Sequence, residues 1–320
     1  MGFLRQFCYA LFLIVLPCFS LAASPAVTLL EQGRSDEAIS EFQGITVKSP
    51  NEAAAFNLLC RAYFQIGDWD RGISACERAT TLEPNNGLYH LWLGRAYGEK
   101  ADSSSFLTAA TLAKKVRTEF EAAVRLAPDN ADARSDLAEF YLEAPGIVGG
   151  GKDKALQQAE ALAKLDSARA DWIKGRIAEK NKDLTTAEKQ YRAAIEDSHG
   201  GAHAWFNLAL YYWHRQDLDN MQRTLYHAVA APLDRPEVVM ESAELLIRGG
   251  RDFPSAVQWL RRYLNGPMVE EAPAFKAHYL LGTVLEKQGD KVAAAEEYRA
   301  ALALASHFSR AQEALSRVSR

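Results

Sequence analysis

The chain is poor in the residue patterns that usually announce a chemistry. Four cysteines and seven histidines are spread over 320 residues. No C-x-x-C or H-E-x-x-H spacing occurs among them, which excludes the common zinc modules. His199 and His203 are four residues apart, but two glycines lie between them and the nearest acids, Glu196 and Asp197, belong to the preceding segment, so no metal is assigned. A nucleophile elbow, G-x-S-x-G, is absent. Charge of one sign is also lacking: 37 Lys plus Arg oppose 41 Asp plus Glu, a net −4. There is therefore no basic surplus to attract nucleic acid. Glycine (20) and proline (11) are too few for a collagen-like or low-complexity chain, and 48% hydrophobic residues argue against disorder.

Long apolar runs are scarce as well. The longest, Phe7 to Leu16, follows Arg5, breaks at Pro17 and leads into the small residues Ser20 and Ala22. This is the order of a secretory signal peptide cleaved after Ala22. Ten apolar residues fall short of the ~18 needed to cross a bilayer, so no integral membrane segment is expected once residues 1–22 are removed. The protein is expected to be exported, to a periplasm or beyond. Loss of the signal takes Cys8 and Cys18 with it and leaves Cys60 and Cys76 in a compartment where disulfides persist.

What the sequence does contain is repetition. The segments AAAFNLLCRAYFQIGDWDRGISACERATTLEPNN from Ala53, AHAWFNLALYYWHRQDLDNMQRTLYHAVA from Ala202 and FKAHYLLGTVLEKQGDKVAAAEEYRAALALA from Phe275 align without gaps. In the first, Phe56, Leu59, Cys60 and Tyr63 share one helical face. Gly67-Asp68 marks a turn, and Gly72, Cys76 and Ala79 lie on a second helix that ends before Pro84. The period predicts antiparallel helix pairs with small side chains where the helices come closest. Cys60 and Cys76 fall on the two facing helices, either as a disulfide or as two buried thiols.

This pattern resembles the tetratricopeptide repeat (TPR) family, whose 34-residue unit has the same order of aromatic, Leu, Gly/Ala, Tyr, Ala, aromatic, Ala and Pro. The resemblance implies an all-α, right-handed superhelical solenoid. Residues 23–52 would supply a partial unit, residues 53–308 about seven repeats starting at 53, 87, 131, 168, 202, 236 and 275, and residues 309–320 a polar capping helix at an open end. Three departures stand out. Extra residues within EKADSSSFLTAATLAKKV lengthen the second unit, EAPGIVGGG interrupts the third, and about five more surround Asn265-Gly266-Pro267. The first two would decorate one rim.

Within the second of these, Gly146 to Lys152 fits the phosphate-binding G-x-x-x-x-G-K. However, Asp153 stands where Ser or Thr should hold magnesium, and a helix precedes it rather than a strand, so nucleotide binding is not expected. No cofactor is implied, and a helical repeat of this kind does its work by presenting surface rather than by catalysis.

By resemblance, the first helix of each pair lines a concave groove through offsets not used for packing. Those offsets supply Asn57, Arg61, Arg95, Trp172, Arg176, His203, Phe206, Leu210, Trp213 and Met240 as candidate partner-binding residues. Trp172, Phe206, Leu210, Trp213, Met240 and Ile247 would form an apolar stretch across three repeats, unless the superhelix curls enough to bury them. Arg95 would bind a carboxylate or pair with Glu139 of the next unit. The two-carboxylate clamp that some family members use for acidic chaperone tails is not carried over, because Asp132 and Asp136 stand where it needs basic or amide groups. The reading is an exported, non-enzymatic scaffold that holds a protein or peptide segment in its groove. Homo-oligomerisation, or an accessory role in a cell-envelope enzyme complex with a small-molecule site near 145–152, is the alternative.

Overall fold

A computed structural model describes residues 25–233 and 235–319. The expected signal segment, 1–22, lies outside them. Among the described residues there are seventeen α-helices and no strand. They run as α1 (Pro25–Glu31), α2 (Ser35–Lys48), α3 (Ala53–Gln65), α4 (Trp69–Leu82), α5 (Gly87–Asp102), α6 (Phe106–Leu126), α7 (Ala131–Glu143) and α8 (Lys152–Leu162). There follow α9 (Ser167–Lys180), α10 (Leu184–Asp197), α11 (Ala202–His214), α12 (Leu218–Ala230), α13 (Glu237–Gly249), α14 (Phe253–Leu264), α15 (Ala274–Lys287), α16 (Lys291–Leu304) and α17 (Ser309–Val318). Each helix packs on the next, and the odd-numbered helices from α7 to α17 also touch one another in series, as α3 touches α5, in the manner of an α-solenoid.

Local chemistry sets the boundaries. Asp68, Asn130, Asp166, Asp183, Asp217, Asp252 and Asp290 each cap a helix, the side chain accepting a hydrogen bond from the backbone N–H three residues on. Each such cap contributes about 1 kcal/mol by satisfying an otherwise orphaned donor. The tight turn inside a pair requires a left-handed residue just before the cap. Gly67 and Gly289 take it easily at φ 75° and 91°, and Lys182 and Gln216 occupy the same place at φ 61° and 59°. Large side chains then fill between the helices. Tyr191, Tyr211 and Tyr298 are fully buried, and their hydroxyls donate to Glu179, to the Leu184 carbonyl and to Glu286, so none of the three hydroxyls is left unpaired. Cys60 and Cys76 are joined across α3 and α4 with Cα atoms 5.3 Å apart, inside the ~7 Å that a disulfide tolerates.

The insertions take forms that repeat spacing does not specify. In the second unit the extra residues extend both helices. α5 reaches 16 residues and α6 reaches 21, with only 103–105 left as a turn. In the third unit, Gly146–Val148 form a single 3-10 turn, and the Arg117 guanidinium donates to the Val148 carbonyl beneath it. The tips carry bare apolar side chains: Phe106, Leu107 and Ile147 are 83%, 79% and 89% exposed.

The solenoid also closes on itself. Phe275 of α15 is buried in the same core as Ala26 and Leu30 of α1 and Phe42 of α2. The Ser306 amide donates to Asp36 across 270 residues of sequence. Gly33 meets the start of α15 so closely that a Cβ there would lie 2.4 Å from the Ala274 nitrogen. The expectation of an open end is therefore corrected. Helix α17 does continue the stack on α16, but the last repeat rests on the first, because both present apolar surface that neither covers alone.

Candidate functional site: the central cavity

Closure turns the concave groove into a cavity of about 920 Å³. Its walls are the inner faces of α3, α5, α7, α13 and α15, reached by Phe64, Arg95, Asp132, Glu139, Glu244, Lys276 and Tyr279, together with the linker between α14 and α15. Nine carboxylates and four cations, Arg95, Arg235, Lys276 and Arg310, border it. Burial pushes the carboxyl pKa of Glu99 and Glu139 upward, as expected where acids outnumber bases in a partly dry space.

Successive first helices are laced by ion pairs. Arg95 of α5 donates to Asp136 of α7 at 2.6 Å, and Arg169 of α9 pairs with Asp132. Arg176 bridges Glu139 and Glu143 of α7 at 2.9 and 3.0 Å. His214 and Glu179 join α11 to α9, and Lys276 and Glu244 join α15 to α13. Arg95 thus takes Asp136 and not the expected Glu139, one helical turn further on.

Arg61 has an unexpected partner. Its guanidinium grips both carboxylate oxygens of Glu270, Nε donating to Oε1 at 2.8 Å and Nη2 donating to Oε2. Glu270 lies 209 residues away in the linker, and its side chain is only 7% exposed. The neighbouring Gln65 donates to the Glu270 carbonyl at 2.9 Å. Behind them Trp92 lies under two guanidinium groups, Arg61 at 5.0 Å and Arg95 at 4.9 Å from the ring centroid.

The apolar stretch behaves differently from the sequence expectation. Phe206 is 8% exposed and Met240 fully buried, and Ile247 is buried with them in one core. Asn57 is buried too, its amide nitrogen making no hydrogen bond within the protein. These residues are not available as surface anchors. At groove offsets consecutive first helices stand within side-chain reach, so an apolar group folds onto the neighbouring helix. Trp172, His203, Leu210 and Trp213 keep part of their surface, with Arg248 stacked 5.4 Å from the Trp213 ring. The residues 146–152 form a connection between two helices. Lys152 there donates to Asn181 and Lys154 to the Gly149 carbonyl, which leaves no phosphate cradle.

Sequence reasoning missed Glu270, Gln65 and Trp92 as members of one site. The only signal was the surplus of residues after Gly266, and nothing in it points to Arg61.

Comparison with known proteins agrees with this architecture. Profiles of the tetratricopeptide repeat match residues 29–96, 149–202 and 268–307, and the chain belongs to that family. Yeast Tom70 shares the fold at a TM-score of 0.56 and 13% identity, over 93% of this chain and 64% of that one. A tetratricopeptide repeat protein of Parabacteroides merdae gives 0.47 at 12% identity, covering 92% and 96% of the two chains. MamA gives 0.44 at 20% identity, covering 55% and 95%. No curated protein matches by sequence. No helix among the described residues is long and apolar enough to cross a membrane.

Proposed function

We propose that this protein is an exported, non-enzymatic scaffold that captures a segment of a partner protein in its central cavity. The supporting observation is the cavity itself. It is walled by the first helices of five repeats, about 920 Å³ in volume, and edged by both aromatic and charged side chains. That is room for several residues of an extended chain, at the upper end of the ~300–1,000 Å³ typical of ligand sites. Export rests on the N-terminal sequence, and the pairing of Cys60 with Cys76 suits a compartment where disulfides persist. N-terminal sequencing of the native protein is expected to begin near Ala23, and a retained Met1 on protein found in the cytosol would refute export.

Placing a photo-crosslinking residue at Tyr279, inside the cavity, and in a second protein at Val292, on the outside of α16, tests the site of capture. A partner crosslinked from position 279 and not from 292 supports the reading. Crosslinks from 292 alone overturn it. A second reading, self-association through the rim, is favoured by the exposed tips at Phe106, Leu107 and Ile147.

A further inference from the structure

The linker between α14 and α15, residues 265–273, is shaped by its own repeat and spends one side chain on a distant one. Tyr263 at the end of α14 ties it from within. The hydroxyl donates to the Ala272 carbonyl at 2.6 Å and accepts from the Val269 amide at 3.2 Å. These two bonds bow the intervening residues outward and bring Glu270 to the apex. From there its carboxylate crosses the cavity wall to Arg61, and its carbonyl takes the Gln65 amide.

The receiving face has the parts of a binding site for an extended acidic peptide. Arg61 reads the carboxylate through two parallel hydrogen bonds, a geometry specific for planar oxyanions. Gln65 reads the adjacent peptide carbonyl. Trp92 gives the pair a flat floor, and Arg95, stacked on the same ring and paired with Asp136, adds a weaker attraction for the Glu270 carboxylate. Helix packing does not require this arrangement, because Phe275 and Gly33 already join the last repeat to the first.

We propose that Arg61, Gln65, Trp92 and Arg95 form a binding subsite for a carboxylate-bearing extended peptide segment, and that the 265–273 linker is its resident occupant. A partner segment entering the cavity displaces Glu270 and places its own Asp or Glu on Arg61. The linker is thus an intramolecular competitor that sets a threshold for capture. This deepens the proposed function and rests on it.

The probe is a labelled peptide with the sequence of residues 265–273, NGPMVEEAP, followed by fluorescence anisotropy. The Glu270→Ala protein is expected to bind it about tenfold or more tightly than the wild type, because the resident carboxylate no longer competes. Adding Arg61→Ala is expected to remove that gain, as is a peptide carrying Glu270→Gln. Equal binding by wild type and Glu270→Ala, or equal binding of the Gln peptide, overturns the proposal. A Glu270→Ala protein that does not fold leaves the wild type as the test. Excess peptide is expected to speed hydrogen exchange at the Val269 amide, and unchanged exchange there also overturns the proposal. Failure of the general reading looks different: the peptide binds at Arg61, yet no partner crosslinks from position 279.

Discussion

The inner face of the solenoid has two halves built from the same helix offsets. From α3 to α9 those offsets carry Arg61, Arg95, Asp132, Glu139 and Arg176, and from α11 to α13 they carry Phe206, Leu210, Met240 and Ile247. In the first half the side chains reach past the neighbouring helix and end in ion pairs at the cavity wall. In the second half Phe206, Met240 and Ile247 lie down on the neighbouring helix and vanish into the core, and Leu210 packs half-buried against it. Offset therefore decides direction, whereas side-chain length and polarity decide whether a residue becomes surface, since a long charged chain can bury its stem and keep its head in water. One half of the groove presents charged groups to the cavity and the other is structural.

The sharpest way to break this contrast is to truncate the apolar half. Phe206→Ala is expected to cost ~3–5 kcal/mol and Met240→Ala ~2–5 kcal/mol, matching Leu208→Ala in the same core. Trp172→Ala and Trp213→Ala, only half-buried, are expected to cost about half the ~3–5 kcal/mol of a fully enclosed tryptophan. Thermal melts of the five proteins give the ranking directly. A Met240→Ala protein that melts like the wild type would show that the second half is open after all.

The next effect lies in Glu241, a carboxylic acid set in the apolar half. Burial, aided by nearby Glu237, pushes its pKa up to about 7, against the pull of Lys276 and Arg235. A carboxyl whose folded pKa lies above its unfolded one binds its proton more tightly in the native state. Stability therefore falls as pH rises from about 4.5 to about 7 and then levels off. Glu241→Gln is expected to flatten that slope and to gain roughly 1–3 kcal/mol at pH 8. Denaturant titrations at pH 5 and pH 8 measure it. Identical pH slopes in wild type and variant would place the Glu241 carboxylate in water.

The sequence carried the repeat but not its closure. Asp68, Asn130, Asp217 and Asp290 mark helix starts through chemistry confined to four residues, so a reader of the sequence can find them. The polar groove offsets were legible through the resemblance to the repeat family, which places Arg61, Arg95 and Arg176 on the inner face. The Arg61–Glu270 contact was not, because it depends on the summed curvature of every unit between them. Small rotations per repeat decide whether the ends meet. Burial of Phe206 and Met240 depends on the same curvature. The ten extra residues of the second unit could equally have formed a loop, and only packing between α5 and α6 shows that they extend two helices.

The smallest expected effect is at the rim, and its smallness is what makes it informative. Phe106 and Ile147 stand at the tips of adjacent insertions with 83% and 89% of their surface exposed. Replacing either leaves no cavity and breaks no hydrogen bond, so Phe106→Ser and Ile147→Ser are expected to stay within about 0.5 kcal/mol of the wild type. In a chain of this length that is a melting shift of about 1–2 °C. The monomer accounts for that outcome and gives the rim no stabilising partner. A loss of several degrees would mean that the tips are covered in solution, and the chain itself is then the first candidate to cover them. Sedimentation velocity of the same two variants distinguishes the cases: a wild-type species heavier than one chain that dissociates on Phe106→Ser would make the decorated rim a self-association surface, and a single-chain species throughout would leave the cavity as the only recognition face proposed for this fold.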